Sequence, residues 1–232
     1  MRWVTGFVDT PSRVAEPFWA AVTGSTLSAR RGGGAFATLV PPDGDAYLRV
    51  QVTAGGPATA HFDLHVDDVR AGAAEARDRG AELVRDDGDL VLLRSPAGLV
   101  FCLVQWAAEA VRPTVNGWSS RVDQLCLDIP VAEFEREAGF WSGLTGWARR
   151  RAGLPEFDFL ERGAGMPLRF LLQRIRSGSV GVHLDFACDD VGAEVERHVG
   201  LGAVVVRRVP GDWTTLRDPA GREYCVTGRS PA

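Results

Sequence analysis

Lysine is absent from the 232 residues: all 26 basic side chains are arginine, set against 30 acidic ones. Without it there is no Schiff-base amine, no pyridoxal-phosphate anchor and no Walker lysine. The bias itself reads as the mark of a GC-rich genome, since arginine fills most of lysine's surface roles. Cysteine is scarce too. Cys102, Cys126, Cys188 and Cys225 are too few and too widely spaced for a disulfide framework, and no Cys-x-x-Cys pair suggests structural zinc, so reduced thiols are expected. No run approaches the roughly 18 to 20 apolar residues of a membrane span, and the opening MRWVTGFVDT has no apolar stretch followed by a small-residue cleavage site. The expectation is a cytoplasmic protein with no membrane partner. A net charge of −4 gives no electrostatic footprint for nucleic acid either.

What is present is a large apolar fraction, 45%, and an internal repeat. The segment GAELVRDDGDLVLLRSPAGLVFCLV from Gly80 returns from Gly202 as GAVVVRRVPGDWTTLRDPAGREYCVT. Gly80/Gly202, Arg85/Arg207, Gly88/Gly211, Asp89/Asp212, Arg94/Arg217, Pro96/Pro219, Gly98/Gly221 and Cys102/Cys225 fall in one order with a single residue inserted. Earlier in each half, Phe18-Trp19 matches Phe140-Trp141, Gln51 matches Gln173, and HFDLHVDDV from His61 matches HLDFACDDV from His183. The chain therefore reads as a tandem duplication. The expected division is a first domain over 1–108, a linker over 109–119 and a second domain over 120–232.

Each half reads as strand, helix and three strands, performed twice. Residues 3–8 alternate as a strand, and Pro11-Ser12 is expected to open a helix that buries Val14, Phe18, Ala21 and Val22 on one face. Short β-rich runs follow near Thr26, Phe36 and 47–52, and a second unit restarts at 61–66, with Asp67-Asp68 capping a helix that ends at Gly80. The second half repeats the pattern, with helices from Pro130 and Asp189. The expected fold class is α+β, four βαβββ units forming two tandem domains.

With those motifs in place, the chain resembles the vicinal oxygen chelate superfamily, which includes glyoxalase I, extradiol dioxygenases and bleomycin-resistance proteins. It looks most like tandem glyoxalase-like proteins of actinobacterial type, through Phe-Trp near a Thr-Gly helix end, LLQR from Leu171, HLDF from His183 and DPAGREYC from Asp218. The resemblance implies four inward-facing ligand positions per half. In the first half they hold Thr5, a residue near Gln51, His61 and Cys102; in the second, Gln124, a residue near Gln173, His183 and Cys225. Both carboxylates usual at such positions are missing, so no metal and no cofactor is expected. Glu223, on the same strand face as Cys225, leaves a divalent ion open.

The remaining constellation is His-x-Asp. Residues two apart on a strand face one side, so His61 with Asp63 and His183 with Asp185 are expected to point together. A carboxylate beside an imidazole fixes its tautomer and suits general acid or base work, while the same pair also serves as a satisfied structural contact. The catalytic assignment falls on His183 and Asp185. Substrate-binding candidates are Gln124, Gln173, Trp213, Glu223 and Cys225, with His61, Asp63, Gln51 and Cys102 in the first half. His198, late in a helix, is expected to be exposed and inert. The partner expected is a small organic molecule, on which the protein moves a proton at a carbonyl compound or which it sequesters without turnover; a monomer and a homodimer both stay open.

Overall fold

The computed structural model describes residues 1–231. Four βαβββ modules follow one another. The first comprises β1 (Trp3–Thr10), α1 (Glu16–Thr23), β2 (Thr26–Leu27), β3 (Phe36–Val40) and β4 (Leu48–Val52). The second comprises β5 (Thr59–Val66), α2 (Val69–Asp78), β6 (Glu82–Asp86), β7 (Leu90–Arg94) and β8 (Val100–Gln105). In the third, β9 (Ser120–Pro130) leads through a 3-10 turn into α3 (Phe134–Thr145), then β10 (Arg149–Arg151), β11 (Phe157–Leu160) and β12 (Arg169–Ile175). The fourth has β13 (Gly181–Cys188), α4 (Val191–Gly200), β14 (Val204–Val209), β15 (Trp213–Arg217) and β16 (Glu223–Thr227). Each half of the chain forms one eight-stranded sheet, ordered β2-β3-β4-β1-β5-β8-β7-β6 and β10-β11-β12-β9-β13-β16-β15-β14. The two orders are the same, strand for strand, as a duplication requires.

Local chemistry explains why the repeat keeps the residues it does. Asp68 and Asp190 each accept the backbone N–H three residues on, capping α2 and α4. Gly80 and Gly202, where the chain leaves those helices, have φ of +102° and +109°, a region that only glycine enters without strain. Strand alternation does the rest. On β5, Phe62 and Leu64 are fully buried on one face, which leaves His61, Asp63 and His65 on the other.

The chain separates into two compact units, one made of 1–5, 61–110 and 125–182, the other of 6–60, 111–124 and 183–232. Each has its own aromatic core. In the first, Trp141 meets Phe62, Phe101, Phe140 and Phe170 at centroid distances of 4.8 to 5.7 Å, and its indole N–H donates to the buried Glu137 at 2.7 Å. In the second, Trp19 stacks on Phe186 and meets Tyr224 edge-on, its indole N–H donating to Asp218 at 2.8 Å. The two tryptophans match in the repeat, but their carboxylate partners come from different places, a helix in one unit and the turn before β16 in the other.

Two expectations need correction. The first helix begins at Glu16, with Pro17 in its first turn; Thr10 and Ser12 instead form a side-chain-bonded turn, and Val14 is exposed. His198 is fully buried: it stacks edge-on against Phe186, with its ring nitrogens 2.8 Å from the Tyr224 hydroxyl and 3.0 Å from Glu194. Val191, Glu194, Val195 and His198 form one helical face, so the polar pair is turned inward together.

Burial opposes ionisation of Glu194, but hydrogen bonds from Arg197, His198 and Ser120 hold its pKa down at about 2. Burial pushes the His198 imidazole below its ordinary value against the pull of Glu194. Both groups therefore bind protons more readily in the unfolded chain. Their stabilisation is complete above the unfolded histidine pKa of about 6.5 and is lost as pH falls through the folded values, the last of it near 2. Urea midpoints should fall steadily from pH 7 to pH 4, and His198→Asn should flatten the part of that slope between pH 7 and 5.5. An unchanged slope in the variant would remove His198 from the account.

Candidate functional site

The second sheet carries the richer polar face. His183 and Asp185 lie two apart on β13, and their side chains meet, Nδ1 to Oδ1 at 2.9 Å. The other Asp185 oxygen accepts a hydrogen bond from the Gln124 amide of β9. Asp185 is opposite Cys225 in the parallel β13–β16 pairing, and Cys225 is opposite Thr215 of β15, so the three share this face. Trp213, two residues before Thr215, extends the same row, with the Arg207 guanidinium 5.8 Å from its ring. On the neighbouring strands the Cys126 thiol lies 3.5 Å from the Gln173 side-chain oxygen.

Asp185 is 2% exposed. Burial raises its pKa, but the charge and hydrogen bond of His183, the charge of Arg229 and the Gln124 amide outweigh that and hold it below the ordinary carboxylate range. An ionised acid at Nδ1 selects the tautomer with the proton on that nitrogen, which makes Nε2 the basic one. The imidazole is partly exposed, its side chain 19% accessible against 3% for Asp185. Chemically this is an oriented base on a carboxylate support. Glu223 stands apart: it is exposed at the strand end and paired with Arg217 at 2.8 Å. Gln124, a substrate-binding candidate in the sequence, spends its amide nitrogen on Asp185.

The first sheet departs from this arrangement. Asp63 is opposite Cys102 as Asp185 is opposite Cys225, so the framework is retained. But His65, which has Ala187 as its counterpart, fills the row: it is 2% exposed, with Nε2 2.8 Å from the Thr5 hydroxyl and Nδ1 3.3 Å from Glu109. Gln51 sits on β4 opposite Phe36. Sequence reasoning did not single out Cys126, Arg229 or Glu109 as parts of these sites. Cys126 could have been found from its spacing, two residues after Gln124 on one strand face; the other two reach in from segments without periodicity.

The chain belongs to the glyoxalase-like domain family, which matches residues 5–104 and again 124–227, and it has the vicinal oxygen chelate fold in two tandem domains. No curated protein matches it in sequence. Among solved structures it is similar to the Mn(II)-bound glyoxalase from Novosphingobium aromaticivorans, at 15% identity and a TM-score of 0.68 over 97% of this chain and 80% of that one. It is also similar to homoprotocatechuate 2,3-dioxygenase from Brevibacterium fuscum, as its E323L mutant, at 14% identity and 0.68 over 99% and 72%. The 2,3-dioxygenase LapB from Pseudomonas sp. KL28 matches at 13% identity and 0.66 over 97% and 91%. At these identities the likeness is one of fold.

A metal in one such relative makes the donor set here worth testing. Cys126, His183 and Asp185 offer a sulfur, a nitrogen and an oxygen within 4.8 Å of one another. Yet Asp185 gives one oxygen to His183 and the other to Gln124, which is the place of a residue standing behind a ligand rather than of a ligand. Direct coordination by Asp185 would have to use an oxygen that already accepts a hydrogen bond, and without it one imidazole and one thiol fall short of the three or four protein ligands that hold a divalent transition ion.

Proposed function

We propose that the polar face of the second sheet binds a small carbonyl-containing organic molecule and that His183 moves a proton on it without a metal, oriented and charged by Asp185. The observation that carries this reading is the chain Gln124, Asp185, His183: a buried carboxylate, kept ionised and fully bonded, aligns a more accessible imidazole. A purely structural histidine would more simply be buried with its partners, as His198 is. Trp213 supplies an aromatic wall on the same row. A second reading, sequestration without turnover, is favoured by one feature: Gln124, the amide an oxyanion would call on, is committed to Asp185.

A panel of small hydroxycarbonyl and dicarbonyl compounds, screened by thermal shift with and without a chelator, tests the binding. At least one should stabilise the protein equally in both conditions, and Trp213→Ala should weaken it about 10-fold, the scale of one aromatic contact. No response from any carbonyl compound, or one that the chelator abolishes, would contradict the proposal.

A further inference from the structure

Each sheet ends in a strand that pairs on one side. β6 and β14 close the two sheet orders, and among the described residues their ladder partners are β7 and β15. An edge of this kind offers its outer row of backbone donors and acceptors to any strand that can lie along it. Apolar side chains stand beside both edges: Leu83 and Val84 on β6 and Val204 and Val206 on β14 are exposed.

The two edges carry the same irregularity. On β6 Leu83 is opposite Leu93 and Arg85 opposite Leu92, which leaves Val84 as an extra residue; on β14 Val205 is opposite Leu216 and Arg207 opposite Thr215, which leaves Val206. An extra residue makes a β-bulge, which bends the strand and breaks the straight run of hydrogen-bonding groups that an added strand needs. Both bulges fall at one place in the repeat. Over the aligned stretches ELVRDD (82–87) and VVVRRV (204–209), the bulged valine and the arginine after it are the only identical pairs, so the irregularity was kept while the strand around it changed.

What changed is charge. The first stretch has Glu82, Asp86 and Asp87 against Arg85; the second has Arg207 and Arg208 and no acid. β6 laid against another β6, or β14 against another β14, brings like charges together, whereas β6 of one copy against β14 of the next matches acids with arginines and apolar side chains with valines. Charge therefore protects each edge from its own kind and leaves the unlike pair to the bulges. We propose that the bulges at Val84 and Val206 are guards that keep β6 of one copy of this chain from adding β14 of another. That contact is not self-complementary, so without the guards it repeats from copy to copy as an open chain. The device stands whether or not His183 moves a proton.

Deleting either valine restores regular alternation to its strand and keeps the other pairings. Light scattering of the whole chain at low salt then reads the result. The Val84 deletion and the Val206 deletion should each keep the wild-type mass, because each retains one guarded edge, and their equimolar mixture should form a complex of about twice that mass. High salt, which screens the matching charges, should dissolve the complex, and so should Arg207→Glu with Arg208→Glu in the chain lacking Val206. No complex between the two folded variants, or one formed as well by either variant alone, would overturn the proposal. Should a deletion fail to fold, the wild type decides: its mass should be the same at low and high salt, and a salt-sensitive association that Arg207→Glu with Arg208→Glu removes would overturn the guards.

Discussion

Trp141→Ala should be the most destabilising single change in the first unit, at about 3 to 5 kcal/mol, the range for truncating a large buried aromatic. For a chain of this size that lowers Tm by roughly 10 °C. The ring touches four other aromatic rings, so the cavity left behind is walled by Phe62, Phe101, Phe140 and Phe170, none of which can close it without abandoning the others. The indole N–H adds a second cost. It is one of three groups bonded to Glu137, whose burial already raises its pKa against the hydrogen bonds of Ser95, the Ala97 amide and Trp141 itself. Trp141→Phe keeps a six-membered ring in the core while removing the donor and the rest of the indole, so its cost should be smaller than the alanine's, at about 1 to 3 kcal/mol. Urea denaturation of both variants measures them, and a loss below about 1 kcal/mol for the alanine would mean that the core does not depend on this ring.

His183→Gln should reduce turnover by about 100-fold or more while leaving binding of the same carbonyl compound within a few-fold, because an amide can keep a hydrogen bond but cannot take and return a proton. Asp185→Asn tests the support rather than the base. It keeps an oxygen for the Nδ1 proton but removes the charge that stabilises the imidazolium, so the rate should fall and its pH profile should shift, with little change in affinity. His61→Gln should be much milder, since in the first sheet the bulk of His65, bonded to Thr5 and close to Glu109, stands where the second sheet has Ala187. Equal losses from His61→Gln and His183→Gln would mean two working faces. Were His183→Gln to change affinity by about 1 kcal/mol with no turnover to lose, the sequestration reading would stand instead.

The fold was legible because the duplication preserved the residues that backbone geometry demands. Gly80 and Gly202 recur where φ must be positive, and Asp68 and Asp190 recur where a helix needs its cap. Pro11 misled because proline opens turns as readily as helices, and Pro17, the one in the helix, stood inside the apolar pattern. The His-x-Asp contact was legible too, since period two brings those side chains together. The Gln124 bond to Asp185 was not, because it joins strands 61 residues apart and spacing carries no information about which neighbour an amide chooses. His198 was hidden by its own chemistry. A histidine and a glutamate on one helical turn look solvated until Tyr224 and Ser120 are seen to close around them.

Proton transfer by His183 can be followed as solvent exchange at the carbon next to the carbonyl of a bound compound, by proton NMR in D₂O with metal-free protein. The wild-type protein should speed loss of that proton signal well above the protein-free rate, and His183→Gln should return it close to that rate while still binding the compound. Exchange at the protein-free rate in the wild type, or equally fast exchange in both proteins, would contradict it.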